Sequence, residues 1–475
     1  MAFPPVFEPY VLSTLDHMTA PIHMSTFITF HPENSSKAIS ALEMGLSRLI
    51  LLLPFISGNV AFSSQLPGKQ NVREVQAATA EFLQEYPMLK IKHHDKSISP
   101  TKPGPTVSYD TMLNEEFTPL EFAMAMEDLS PIFRIQANVM RDGVILCCSF
   151  YHLALDGAGF INVLSALAQC CHNPGLASLA TDPWKEAETR RAIVEAGRNP
   201  NAPKELQTSY GAFAGDMTPT SSPESPISRI LVLDPEKIER LRDACKSQMQ
   251  RHSGTRLSSN TIVSSLIWLC YIRSRYGSPS TGSRSDVETT PEKSCFAMPI
   301  DVRKTLQLPS SYLGNAVVSS EAFASIDAVL SSARPSGDAA VIKDISSNDI
   351  EILAELAHQI NECMQFNSKH SIQGLISQLS AGNDWATYCR PGDVSVSNMR
   401  NLRSYELDFG SCLGRAHTFD LPENRISGVA WILPSRFRGS PWEVRMALEP
   451  EIMERVQRDK LMQWVCARPT PKSKL

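Results

Sequence analysis

The stretch from Phe133 to Cys171 constrains the fold more than any other part of the chain. It reads as strand, turn, strand, tight connection and helix without a break. Phe133, Ile135, Ala137 and Val139 alternate with Arg134, Gln136 and Asn138, the period-2 pattern of a half-buried strand. Arg141-Asp142-Gly143 supplies a turn. Val144 to Phe150 then reads as an apolar run of the kind a central, doubly covered strand requires. Beyond the connection, Phe160, Val163, Leu164, Leu167 and Cys171 fall on one helical face. The residues between, His152-Leu-Ala-Leu-Asp156-Gly157, therefore leave the sheet at a fixed point.

An imidazole held between two rigid elements suits general-base chemistry. Its ordinary pKa of about 6.5 lets it take a proton from a hydroxyl and pass it on. Structural roles compete with this reading. A histidine at a strand end is often a satisfied core residue, and Asp156 stands where a helix N-cap would be. One His/Asp pair offers too few ligands for a metal, and no other His, Cys or carboxylate spacing supplies the rest, so no metal site is expected.

Further segments sharpen the reading. Leu407-Asp408-Phe409-Gly410-Ser411-Cys412-Leu413-Gly414 lies in the C-terminal half. With H-x-x-x-D-G it makes the chain resemble the BAHD-type CoA-dependent acyltransferases, in particular their fungal branch. Leu12-Ser-Thr-Leu-Asp16 is similar to that family's opening L-S-x-x-D, and Leu53-Pro-Phe-Ile-Ser-Gly58 to its L-P-x-x-x-G. Leu257-Ser258-Ser259-Asn260, ahead of Leu266-Ile267-Trp268, resembles its L-S-x-N-D helix start. Pro299-Ile-Asp301-Val-Arg303 and Tyr312-Leu-Gly-Asn315-Ala316 match its V-D-x-R and Y-x-G-N-A segments. The matches occur in order over nearly the whole length.

The resemblance implies an α/β architecture with α+β mixed sheets: two chloramphenicol-acetyltransferase-like domains with a solvent channel between them. It places the catalytic His152 at the middle of the channel, with acyl-CoA entering from one face and the acceptor from the other. It implies that Asp156 turns away from the channel to pair with Arg303, so that Asp156, Gly157 and Arg303 support His152. Asp408, Phe409 and Gly410 would serve structure near the CoA end, and part of the C-terminal half would cross over to complete the N-terminal sheet. The family's Ser/Thr-Ser-Trp segment is replaced by Ser397-Asn398-Met399, leaving Ser397 or Asn398 as oxyanion or substrate contacts, against the alternative of an ordinary strand-to-loop turn. Ser258 and Ser259 are candidate CoA contacts, against the alternative of plain helix capping. Plant members carry D-F-G-W-G; the Ser411-Cys412-Leu413-Gly414 found here has the fungal form.

Rival chemistries lack their minimum parts. D-F-G also occurs in protein kinases, but the Gly-rich loop, strand lysine and H-R-D loop are missing. No G-x-S-x-G elbow, Walker lysine loop or dinucleotide fingerprint appears. Peptide-synthesis condensation domains double the histidine, whereas position 151 is Tyr. The function expected from the resemblance is acyl transfer from acyl-CoA, with acetyl-CoA the default, to a hydroxyl of a fungal secondary metabolite. No permanently bound cofactor is expected. The alternatives are a carrier-protein thioester as donor, an amine as acceptor, or a catalytically silent metabolite-binding relative.

Bulk properties exclude other classes. With 45 basic and 50 acidic residues among 475, the formal charge is −5 and no basic cluster stands out, so nucleic acid is not expected as a partner. Eleven cysteines, an odd number without C-x-x-C spacing, read as free thiols in a reducing compartment, and cytoplasmic residence is expected. The apolar Leu49–Phe55 stretch is too short to span a bilayer and contains Pro54; it reads as the end of a helix starting near Ser36. No membrane association is expected, and the resemblance implies a monomer. The Pro- and Ser-rich stretch 216–228 reads as a linker between an N-terminal domain, 1–215, and a C-terminal domain, 229–475. Residues 275–294 and 331–348 read as long loops, and Trp442 to Leu448 as a strand followed by a final helix opened by Pro450.

Overall fold

The computed structural model describes residues 6–98, 116–120, 128–179, 182–197, 210–212, 225–249, 257–277, 291–331, 345–365, 368–389, 392–422 and 426–466. Two mixed sheets organise them. The N-terminal sheet has five strands in the order Thr418–Asp420, His23–Phe30, Gly143–Tyr151, Phe133–Met140 and Leu89–His93. The C-terminal sheet has six, in the order Ile227–Leu233, Trp442–Leu448, Val429–Ile432, Val394–Asn398, Lys293–Asp301 and Val317–Ser325. A smaller four-stranded sheet joins Tyr10–Val11, Arg73–Gln76, Asn59–Phe62 and Leu129–Pro131.

The central strand Gly143–Tyr151 lies antiparallel between His23–Phe30 and Phe133–Met140 and is buried throughout. Its partner Phe133–Met140 departs from the half-buried expectation. Arg134, Gln136 and Asn138 alternate with apolar residues, yet all three are buried. Their second face is covered by chain rather than water. Arg134 Nε donates to the Tyr86 carbonyl at 2.6 Å, Gln136 Nε2 to that of Glu116 at 2.7 Å, and Asn138 Nδ2 to that of Phe117 at 3.0 Å. Long polar side chains here satisfy irregular backbone that a covered sheet face would otherwise strand.

Each large sheet carries its own apolar core. The N-terminal core packs helices Ser35–Leu52 and Gly157–His172 on the five-stranded sheet, and the C-terminal core surrounds helix Ser259–Tyr276 with its buried Trp268. A third cluster bridges the halves through Leu15, Met18 and Ile193 on one side and Val302, Tyr312 and Ala316 on the other.

The chain crosses over with two strands of the second sheet, Val429–Ile432 and Trp442–Leu448, still to come. Phe409, Leu413 and Phe419 join the N-terminal core, and Thr418–Asp420 pairs antiparallel with His23–Phe30. At the end of this excursion Asp420 receives a two-pronged bond from the buried Arg445, Nε to Oδ1 at 2.9 Å and Nη2 to Oδ2 at 2.7 Å. Arg445 belongs to the other sheet, so the pair ties the two together.

Three expected boundaries shift. Ile227, inside the stretch read as linker, already begins a strand, while 216–224 lie outside the described residues. Most of the loops read at 275–294 and 331–348 also lie outside them; helix Ser259–Tyr276 and strand Lys293–Asp301 enter the first from either side. The helix opened by Pro450 is not the last: Asp459 accepts from the N–H groups of Leu461 and Met462 and caps a further turn, Lys460–Val465.

Removing one member of a buried, two-pronged ion pair leaves a charge without compensation, at about 3–5 kcal/mol. Asp420→Ala is therefore expected to lower unfolding stability by that order, seen as a drop in the urea midpoint.

Candidate active site

His152 is the first residue past the central strand. Its N–H donates to the Ile22 carbonyl at 2.9 Å, which continues the ladder one step beyond the strand and sets where the ring emerges. The ring is partly exposed. Nδ1 is buried without a hydrogen-bond partner, and Nε2 is the nitrogen left accessible. Burial holds the imidazole pKa below its usual value, against the opposing pull of its own carbonyl, of Asp156 and of Asn315. The ring is consequently neutral at pH 7, the form in which a nitrogen can accept a proton.

Four residues on, Asp156 caps helix Gly157–His172 by accepting from the Gly159 N–H at 2.8 Å. The same oxygen accepts from Arg303 Nη2 at 2.8 Å, and the other oxygen from the Ala316 N–H at 3.0 Å. Asp156 thus takes three donors, and among the described residues the imidazole is not one of them. Arg303 is equally committed, to Asp301, to the Tyr312 carbonyl and to the Gly314 carbonyl at 2.9 Å. The planar guanidinium spans these acceptors as a single fork, which an ammonium could not do.

A second set of buried charges supports the same turn. Asp16 closes a capping box with Ser13 and accepts from both the backbone and side-chain nitrogens of Asn315, at 2.7 and 3.0 Å. Arg190 Nη2 donates to the Ala154 carbonyl at 2.7 Å, while its Nε meets Asp16 and its Nη1 meets Glu186. Glu186 also accepts from the Leu313 N–H at 2.9 Å. Burial pushes the Glu186 carboxyl up to about 7, despite Arg190 and its backbone donors. None of Asp16, Glu186, Arg190 and Asn315 was assigned a role from the sequence. Asp16 and Asn315 lay inside matched segments. Glu186 and Arg190 give only the i,i+4 signal of an ordinary exposed helix pair.

The other expected site residues separate into groups. Gly157 begins the helix, and a Cβ added there would meet nothing within 4 Å. The tight position is Gly159, where a Cβ would lie 1.9 Å from the Leu313 carbonyl oxygen. Ser397 and Asn398 end the strand that runs parallel to Lys293–Asp301; Asn398 Oδ1 accepts from the Arg400 N–H at 2.8 Å, and among the described residues no hydrogen bond joins either to His152. Phe409 is buried edge-on against Phe30, and Gly410, at φ +82°, carries the chain tightly past His172. Asp408 accepts from the Gly410 N–H at 3.0 Å and meets Arg415. Ser258 caps its helix by accepting from the Thr261 N–H at 3.1 Å, and the Ser259 hydroxyl bonds Glu239. No cluster of metal ligands occurs among the described residues.

Beside Arg303 a cleft of about 930 Å³ opens between the two halves. Ala158, Ile161 and Asn162 of helix Gly157–His172 line it, together with Lys304, Leu308 and Leu402.

A neutral histidine with one accessible nitrogen is thus set at the seam of two mixed sheets beside a buried Asp–Arg pair, in a fold shared with acyltransferases. Residues 9–462 match the family model described as the Transferase family. The chain is 31% identical over 477 residues to the communesin N16 acyltransferase of Penicillium expansum, covering 96% of this chain and 98% of that one. It is 28% identical to the fumigaclavine B O-acetyltransferase of Aspergillus fumigatus, covering 97% and 98%. Its fold matches F. graminearum TRI101, solved with coenzyme A and deoxynivalenol, at a TM-score of 0.72 and 18% identity, covering 97% and 99%. The chain belongs to this transferase family, the BAHD acyltransferases, and falls with its fungal members.

Two results are expected. Gly159→Ala drives a methyl into the Leu313 carbonyl and should lower the urea midpoint by about 1–3 kcal/mol equivalent, whereas Gly157→Ala should leave it within about 0.5 kcal/mol. Glu186 holds a proton in the folded chain between its ordinary pKa of 4.5 and about 7, where the unfolded chain has lost it. Stability therefore falls as pH rises through that window. Glu186→Gln should flatten the pH dependence of the urea midpoint there.

Proposed function

We propose that this protein transfers an acetyl group from acetyl-CoA to a hydroxyl of a small fungal metabolite, with His152 as general base. The accessible Nε2 of a neutral, deeply anchored imidazole is the observation that carries this reading. Nε2 takes the acceptor O–H proton as the oxygen attacks the thioester carbonyl. The C–S bond of the tetrahedral intermediate then breaks, and the imidazolium returns the proton to the CoA thiolate. Donor and acceptor are present together, so no acyl-enzyme forms. The cleft beside Arg303 offers space for one of them, and exposed Lys304 supplies a cation at its edge. The Asn398 amide, with its oxygen held by Arg400, has its nitrogen available as an oxyanion donor, and Ser397 neighbours it. Ser258 and Ser259 could meet CoA only by giving up their present partners, so the CoA contact is assigned to them second to capping. The ten cysteines that are free among the described residues fit a reducing cytoplasm, and the protein is proposed to work there as a monomer.

A hydroxyl is favoured over an amine for a chemical reason. An alcohol must lose its proton as it attacks, whereas a neutral amine attacks unaided and sheds its proton later. An amine remains the second reading because the communesin relative is named for nitrogen.

The test is a panel of alcohols and amines with acetyl-CoA, followed by mass spectrometry. O-acetylation is the expected outcome; N-acetylation alone would move the acceptor to the second reading, and no transfer with any acyl-CoA would sink the proposal. His152→Ala should lower kcat by about 10²–10⁴-fold with KM for acetyl-CoA little changed. Because burial lowers the His152 pKa, kcat/KM should stay level down to pH about 6.5 and fall only below it.

A further inference from the structure

Asn315 is fully buried, and its amide nitrogen faces three acceptors: Asp16 Oδ1 at 3.0 Å, the His152 carbonyl at 2.8 Å and the Leu153 carbonyl at 3.1 Å. Three acceptors admit only a donor, so the two ends of the amide cannot be exchanged. Its oxygen is thereby turned to the other side, where it is buried and has no partner. His152 Nδ1 is also buried without a partner. One unsatisfied acceptor and one unsatisfied ring nitrogen thus sit on two residues already joined by a 2.8 Å bond. Two buried, unpaired polar atoms on bonded residues are costly unless each finds a partner.

We infer that Asn315 is the positioning residue that selects the tautomer of His152: its oxygen accepts the Nδ1–H, which leaves Nε2 bare toward the acceptor. This rests on the reading of His152 as the general base. Such a hydrogen bond favours the protonated ring, and Asn315 pulls the His152 pKa upward against the larger, lowering effect of burial. Asp156 does not take this place, because its oxygens accept from Arg303, Gly159 and Ala316. A carboxylate at position 315 would set an anion against Asp16 and two carbonyls. The amide can donate on one side and accept on the other.

Asn315→Leu keeps the volume and removes both ends of the amide. Loss of loop support alone would lower kcat, so two other readouts decide. Nitrogen NMR of the histidine rings, with His152 identified by its absence from His152→Ala, should show Nδ1 protonated and Nε2 bare in the wild type above the acidic limb. In Asn315→Leu, kcat should fall about 10–100-fold with KM for acetyl-CoA within about twofold, and the acidic limb of kcat/KM should move to lower pH. Asn315→Ser provides the same comparison if the leucine variant does not fold. A wild-type ring protonated on Nε2, or an acidic limb that stays in place in a folded variant, overturns the inference. The NMR measurement needs no turnover, so failure of the acyl-transfer reading and failure of this inference are seen separately.

Discussion

The Asp156 carboxylate is the constraint on which the rest of the structure depends. It is buried, charged and placed at the start of a helix whose free N–H groups need an acceptor. A buried anion must collect enough donors to replace its water. The N-terminal half supplies one, the Gly159 N–H, and the C-terminal half supplies the Arg303 guanidinium and the Ala316 N–H. Satisfying this one group therefore brings both halves into register at the residue preceding helix Gly157–His172. The bare glycine at 159, which allows the Leu313 carbonyl to approach, is part of the same demand.

Around that centre the charges are arranged to leave the histidine neutral. Asp16, Asp156 and Glu186 face Arg190 and Arg303, and each carboxylate also accepts from backbone N–H groups. The guanidinium charges offset these carboxylates, and burial prevails over the upward pull of Asp156 in lowering the imidazole pKa. An imidazole that stays unprotonated at pH 7 results here from burial, with no carboxylate hydrogen-bonded to it among the described residues.

Much of the site was legible before the structure. His152, Asp156 and Arg303 could be picked out because the first two sit at a turn between a strand and a helix, and the third lies in a segment matched to the same family. The alternation of Phe133 to Val139 marked a strand correctly but misjudged its second face. Periodicity reports which residues share a face and is silent on whether water or chain covers it. Glu186 and Arg190 were invisible for a related reason: their spacing is that of an exposed helix pair, and only the docking of helix Pro183–Ala196 under the His152–Asp156 turn buries them. The glycine that packing demands is 159, although 157 completes the recognisable motif.

The sequence by itself determined the local grammar: which segments are strands and helices, where the histidine leaves the sheet, and which family the ordered segments resemble. These follow from short-range sterics and from apolar spacing, which act within a few residues. The tertiary structure decided which polar groups are buried and what they bond. It set Asp156 on Arg303, Asn315 beneath His152, and Asp420 of the crossover on Arg445 in the opposite sheet. Those pairings join residues far apart in the chain. They exist because a desolvated charge or amide needs a specific partner within about 3 Å, a requirement that can be met only once both halves have folded around it.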